Sequence, residues 1–279
     1  MTPGPERDGS ETDIDARLLD QAADRLVQAQ RSRTPCEPVR DLLGEDDVAA
    51  AYRVQALIVR ERMAAGARVV GRKIGLTAPA VRAQLGVDQP DSGVLFDDMR
   101  VAEDGLIPVD ELLQPKVEAE VAFVLLTDLD LEAPDLPAVR SAIDYAVAAL
   151  EIVDSRIRGW DIRITDTVAD NASSGLFVLG SRRIGMSRFE PVEVAMSMVV
   201  DDAQRSRGTG ADCMGDPLVA VQWLARTCAL RGNPLRAGDI VLSGALGPMV
   251  SVSPGAVVLA ELSELGPVSA RFARSRSIR

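Results

Sequence analysis

Apolar residues recur at helical spacing twice near the start of the chain. From Asp13 to about Arg33 they are Ile14, Leu18, Leu19, Ala22, Leu26 and Val27, and from Glu45 to Met63 they are Val48, Ala51, Tyr52, Val54, Leu57 and Ile58. Each set falls on one face of a helix with a period near 3.6. The stretch between them, Thr34-Pro35-Cys36-Glu37-Pro38, reads as a loop. Residues 13–66 are therefore expected to form one N-terminal helical layer, preceded by a polar, Pro/Gly-rich and disordered segment over 1–12. After Gly66 the period changes. Ala67 to Leu76 reads as a strand interrupted by glycines, and further strands are expected near 117–126, 147–153, 175–180, 193–201, 239–243, 256–262 and 267–272. Helices are expected near 136–145 and 216–230. The second has Asp216 as N-cap, Pro217 at its first position and Gly232 as its stop. The fold class is α+β, with a largely antiparallel or mixed sheet over 67–272 and a basic tail over 273–279. The chain shows no internal repeat and no dinucleotide- or P-loop fingerprint.

Composition narrows the chemistry. With 47% hydrophobic residues in 279 the chain can bury a core, and its net charge of −11 argues against nucleic acid or an anionic membrane as partner. Small anionic substrates remain open, because they need only a local cation. There is no histidine. That removes Ser-His-Asp and Cys-His catalysis in their usual forms, and imidazole zinc sites with them. A general acid or base must be Asp, Glu, Lys, Tyr, Cys or water. Cys36, Cys213 and Cys228 are odd in number, form no C-x-x-C and read as reduced thiols. No apolar run is long enough to span a membrane, and Met1 to Asp8 lacks the apolar core of a signal peptide, so the cytoplasm is the expected location.

Against that background one segment is out of place. In Gln114-Pro115-Lys116-Val117-Glu118-Ala119-Glu120-Val121-Ala122-Phe123 two carboxylates lie two residues apart in an apolar strand pattern, and side chains two apart share a face. A third acid, Glu151, sits in Ala148-Ala149-Leu150-Glu151-Ile152-Val153. Like charges in an apolar setting repel and are penalised by desolvation. A hard divalent cation held by oxygen ligands, Mg²⁺ or Mn²⁺, would resolve this. The alternative is a solvated strand face bearing Glu118 and Glu120, with Val117, Ala119 and Val121 turned to the core.

Four further stretches carry candidate chemistry, each with a plainer alternative. Lys73 lies between glycines in Gly71-Arg72-Lys73-Ile74-Gly75-Leu76-Thr77. It is either a substrate-carboxylate ligand, or a proton carrier if its pKa is depressed, or an edge-strand lysine. Gly86-Val87-Asp88-Gln89-Pro90-Asp91-Ser92-Gly93 is either simply a turn rich in turn formers or a loop over the metal with Asp91 as a proton-transfer group. Asp166 to Gly175 reads as an irregular loop whose hydroxyls and amides suit an anion. In Ser243-Gly244-Ala245-Leu246-Gly247-Pro248-Met249 the glycines let backbone N–H groups approach a ligand.

Taken in order, these motifs together with Ala149-Leu150-Glu151-Ile152-Val153-Asp154-Ser155-Arg156-Ile157 closely resemble the 2-hydroxypenta-2,4-dienoate (2-keto-4-pentenoate) hydratases of the fumarylacetoacetate hydrolase superfamily, over about residues 45–272. The resemblance implies a mixed β-roll or sandwich core under the helical layer. It implies a divalent metal held by Glu118, Glu120 and Glu151, and substrate-binding or proton-transfer roles for Lys73, Asp91 and Ser173, with Gly244 among the substrate-binding positions. It also implies a small 2-oxo or 2-hydroxy acid as substrate, a homo-oligomer, and contact with a neighbouring pathway enzyme. Many relatives carry a histidine directly after Gly-Leu-Thr, where this chain has Ala78. The activity implied is hydration of a 2-hydroxy-2,4-dienoate to a 4-hydroxy-2-oxo acid. A 2-oxo-3-enedioate (4-oxalocrotonate-type) decarboxylase is the nearest alternative. An acylpyruvate C–C hydrolase is disfavoured by the missing histidine, and a non-catalytic oligomer partner by the intact acid set.

Overall fold

The computed structural model describes residues 14–78 and 89–274. Residues 1–12, most of the basic tail, and Gly86, Val87 and Asp88 of the turn motif lie outside that range. The N-terminal periodicity resolves into α1 (Ala16–Ser32), the short α2 (Arg40–Leu43) and α3 (Val48–Ala64). Asp15 and Asp47 cap α1 and α3 by accepting from the amides of Arg17 and Ala50. Leu19, Ala22, Ala23 and Leu26 of α1 and Ala50, Ala51 and Val54 of α3 are buried in one cluster with Ile164 and Val168. The last two belong to a helix the sequence reading did not contain, described below.

Among the described residues thirteen strands form two sheets. The larger runs in the order β2-β1-β10-β5-β6-β7-β3, with β11 also pairing β5. These strands are β1 (Val69–Gly75), β2 (Asp91–Phe96), β3 (Arg100–Val101), β5 (Lys116–Leu125), β6 (Ile143–Val153), β7 (Ser174–Leu179), β10 (Ile240–Ala245) and β11 (Val250–Ser251). The β1–β10 and β3–β7 pairs are parallel and the others antiparallel. The smaller sheet runs β4-β13-β12-β8-β9, with β4 (Leu106–Ile107), β8 (Ala195–Val200), β9 (Ala203–Thr209), β12 (Val257–Leu262) and β13 (Gly266–Phe272). Helices α4 (Leu136–Ala142), α5 (Ile164–Ala169) and α6 (Pro217–Leu230) complete the described chain. This is the α+β architecture expected, with helices on a mixed, curled sheet core. Among the described residues no helix is long and apolar enough to cross a membrane.

Alternation along β5 decides where the chemistry sits. Val117, Ala119, Val121 and Phe123 pack into the core shared with the smaller sheet and α6. Ala122 faces the other way, with Val147, Ala149 and Leu242 in a separate cluster. Glu118 and Glu120 have the parity of Ala122, so they lie at one end of that second face. Burying the Phe123 ring alone contributes about 1.5–3 kcal/mol, so a one-residue slip that exchanged the two faces would be costly.

Three local expectations need correction. Asp91 opens a strand, β2, buried along its length, rather than lying in a turn. Residues 166–169 complete α5 and only 170–173 are irregular, so the span from Asp166 is not a single loop. The helix expected over 136–145 ends at Ala142, where the chain extends into β6.

Candidate metal centre and active site

Glu118 on β5 and Glu151 on β6 are direct cross-strand partners, and Glu120 stands one step diagonally along. Each of the three offers a carboxylate oxygen within 4.8 Å of the others. The solvated-face alternative fails for two of them: Glu120 is 0% and Glu151 1% exposed, and only Glu118 is half-buried. The Gly244 amide donates to Glu120 Oε2 at 2.8 Å, which places this glycine of the Ser243–Met249 stretch beside the carboxylates.

Lys73 reaches the same cluster from β1. That strand lies between β2 and β10, so the edge-strand reading does not hold. The Lys73 ammonium is 2% exposed, sits 3.2 Å from Glu151 Oε1 and donates to the Ala172 carbonyl at 3.0 Å. Apart from that ion pair, Glu120 Oε1 and both Glu151 oxygens have no hydrogen-bond partner among the described residues.

Asp91 faces Gly75 across the β1–β2 ladder. A Cβ at Gly75 would lie 2.2 Å from Asp91 Oδ1 and 3.4 Å from Lys73 Nζ, so both groups close on one point that only glycine leaves open. Thr167, on α5, donates to Asp91 Oδ2 at 2.9 Å, while Asp91 Oδ1 has no partner among the described residues. Ser173 is 3% exposed with an equally unpartnered hydroxyl, one residue beyond the carbonyl that Lys73 grips. The structure thus gathers Lys73, Asp91, Glu118, Glu120, Glu151 and Gly244, with Ser173 on the adjoining turn. Sequence reasoning missed Thr167 and the Ala172 carbonyl.

The electrostatics follow from four carboxylates sharing a buried space with one ammonium. Burial raises every acid of the set, and the neighbouring carboxylates raise Glu118 and Glu120 further; Glu118 is pushed up to about 7 and Glu120 well above its ordinary range. Glu151 and Asp91 also rise through burial, although Lys73 opposes this in both. Burial works against the Lys73 charge, but Glu151, Asp91, Glu118 and Glu120 outweigh it and hold the pKa above normal. In the metal-free site these carboxylates therefore favour the ammonium form of Lys73. Cys213 is pushed up to about 12 by burial and by Glu120, which leaves it a thiol and no nucleophile.

The residues present fit a hard divalent cation. Fully ionised, four carboxylates and one ammonium leave three negative charges where water is scarce, and the unpartnered oxygens are all-oxygen donors of the kind Mg²⁺ or Mn²⁺ takes.

Comparison with known proteins agrees with this geometry. The fumarylacetoacetate (FAA) hydrolase C-terminal family model matches residues 78–273. The chain is 54% identical over 254 residues to the TodF product hydratase of Pseudomonas putida strain F1, covering 91% of this chain and 95% of that one. It is 50% identical over 253 residues to the 2-keto-4-pentenoate hydratase of Paraburkholderia xenovorans, covering 91% and 94%. Among solved structures, 4-oxalocrotonate decarboxylase from Pseudomonas putida G7, complexed with magnesium and adipate, superposes with a TM-score of 0.88 at 34% identity, covering 92% and 97%.

Proposed function

The chain belongs to the fumarylacetoacetate hydrolase C-terminal family, and from that premise we propose that it is a divalent-metal-dependent hydratase. It adds water to a 2-hydroxy-2,4-dienoate and gives a 4-hydroxy-2-oxo acid. The buried three-carboxylate cluster facing Lys73 and Asp91 carries this reading. The choice of hydratase over decarboxylase rests on end-to-end identity of half or more to proteins named as hydratases. Residues 67–272 carry the chemistry and residues 13–66 cover it as a helical layer.

Glu118, Glu120 and Glu151 would hold Mg²⁺ or Mn²⁺. Such an ion supplies Lewis-acid stabilisation of the charge that develops on the substrate's 2-oxygen. Lys73, its ammonium anchored on the Ala172 carbonyl, binds the substrate carboxylate and orients the dienoate. Asp91 moves the protons. Its Oδ2 is held by Thr167, its Oδ1 is free to exchange, and burial keeps its neutral form accessible nearer to neutral pH. A proton is delivered to the distal carbon as the 2-hydroxy group ketonises, and water then adds at carbon 4 of the resulting 2-oxo-3-enoate. Ser173 and the Gly244 amide hydrogen-bond the substrate. The working protein is taken to be a cytoplasmic homo-oligomer in contact with a neighbouring enzyme of its pathway.

The deciding experiment offers purified protein with Mg²⁺ either 2-hydroxypenta-2,4-dienoate or its carboxylated homologue. Conversion of the first to 4-hydroxy-2-oxopentanoate, without carbon dioxide from the second, is expected. Carbon dioxide released from the carboxylated substrate, with no hydration of the other, gives the site to the decarboxylase reading that the 4-oxalocrotonate decarboxylase likeness favours.

Thr167→Val supplies a check on Asp91. The hydroxyl lowers the Asp91 pKa by donating to its carboxylate, so its loss raises that pKa further. Whichever limb of the pH–rate profile Asp91 governs is expected to move to higher pH. An unmoved profile at full activity would take proton transfer away from Asp91.

A further inference from the structure

Asn171, Ala172 and Ser173 follow one another in the left-handed region, with φ of 54°, 52° and 53°. None is glycine, and such residues persist there only where the surroundings over-determine them. The surroundings here are specific. The Arg156 guanidinium, buried, donates to the Asp170 carbonyl before the turn and to the Ser174 carbonyl after it, at 2.5 and 2.7 Å. It also pairs with the Asp170 carboxylate, which accepts from the Arg156 amide at 3.0 Å as well. The Asn171 side chain bonds both backbone groups of Val94 on β2, accepting from N at 2.7 Å and donating to O at 2.9 Å. The Asn171 carbonyl approaches β2 so closely that a Cβ on Gly93 would lie 2.4 Å from it. Asp154 N donates to the Ser173 carbonyl at 2.8 Å. The turn so fixed delivers two things: the Ala172 carbonyl that accepts from Lys73, and the unpartnered Ser173 hydroxyl.

We propose that Arg156, Asp170 and Asn171 are positioning residues for the reaction, forming a lock that holds the left-handed turn and through it aims the Lys73 ammonium and the Ser173 hydroxyl. None of the three needs to touch substrate. The roles of Lys73 and Ser173 in this statement rest on the hydratase reading; the lock itself rests on the contacts above. A planar fork is what the job requires, because one guanidinium spans three carbonyls, that of Asp154 included, and a carboxylate, and a lysine cannot.

The metal cluster stands on β5 and β6, not on this turn, and that separation makes the lock testable. In Arg156→Lys and Asn171→Ala, kcat is expected to fall about tenfold to a hundredfold, the loss that misplacement of about an ångström brings. Calorimetric Mg²⁺ affinity should stay within about twofold. Amide exchange should quicken in peptides covering 170–175 and stay unchanged in those covering 116–125. Wild-type kcat in both Arg156→Lys and Asn171→Ala, or loss of Mg²⁺ affinity in step with turnover, would overturn the lock. If Arg156→Lys does not fold, Asn171→Ala decides by the same readouts. If the wild-type protein hydrates no dienoate, the hydratase reading falls, and unchanged exchange across 170–175 in Asn171→Ala is then the result that removes the lock.

Discussion

Lys73→Met should lower kcat/KM by about two to four orders of magnitude, the span that loss of a positioned proton-transfer or charge-stabilising group produces. The side chain is buried at the junction of β1, β6 and the Asn171–Ser173 turn, and methionine fills nearly the same volume. Packing is therefore kept and the charge alone is removed. No histidine exists to take over, and among the residues gathered at the site Lys73 is the one cation. Metal affinity should not fall with activity. An ammonium 3.2 Å from Glu151 repels a second cation bound by the same carboxylate, so its removal leaves Mg²⁺ binding unchanged or tighter. The kinetic split then defines the role. A rise in KM with little change in kcat marks a uniform grip on the substrate carboxylate, and a fall in kcat marks charge stabilised only in the transition state. Steady-state kinetics beside calorimetric Mg²⁺ titration measures both. Near-normal kcat/KM in Lys73→Met would end the mechanism given above.

How much of this site could be read from the chain varies residue by residue, for physical reasons. Glu118, Glu120 and Glu151 were legible because a charge in an apolar period-2 pattern is an anomaly that needs an explanation, and parity alone puts the first two on one face. Lys73 was visible as a charged residue in a glycine-flanked strand, but its environment was not: the carboxylates that raise its pKa include Glu151, Asp91 and Glu118, 78, 18 and 45 residues further on. Asp91 was placed in a turn because Gly86 to Gly93 is rich in turn formers, yet β2 is buried throughout and gains its regularity from pairing with β1. Strand β9, Ala-Gln-Arg-Ser-Arg-Gly-Thr, was missed because an edge strand facing solvent has little apolar alternation to show. Thr167 and the Ala172 carbonyl left no local mark. One is a hydroxyl on a six-residue helix, and the other is a backbone atom in a conformation its own residue type disfavours.

Glu120→Gln should weaken Mg²⁺ binding by more than the ten- to hundredfold that loss of a mere outer-shell partner costs, so on the order of 10²-fold or beyond, and abolish turnover at ordinary Mg²⁺ levels. Its effect on the metal-free protein has the opposite sign. The acids of the cluster have raised pKa values in the folded state, with Glu118 at about 7 and Glu120 and Glu151 also above the ordinary 4.5. Between that ordinary value and the raised ones, the folded protein holds protons that the unfolded chain has already released. The stability Glu118 contributes in this way is fully present below about 4.5 and lost as pH rises past about 7, and Glu120 and Glu151 act in the same direction. Metal-free protein should melt at progressively lower temperature from pH 5 to pH 8, and Mg²⁺, which requires the ionised carboxylates, should restore more at pH 8 than at pH 6 and release protons as it binds. Glutamine keeps the shape of Glu120 and an oxygen to accept from the Gly244 amide, but cannot ionise. The variant should consequently melt higher than wild type at pH 8 without metal, with a flatter pH dependence and little gain from Mg²⁺. Thermal scans with and without chelator, and titration calorimetry in buffers of different ionisation heat, give all four quantities. A Glu120→Gln protein that binds Mg²⁺ as wild type does, or a wild-type stabilisation by Mg²⁺ that ignores pH, would show that these buried carboxylates hold no cation.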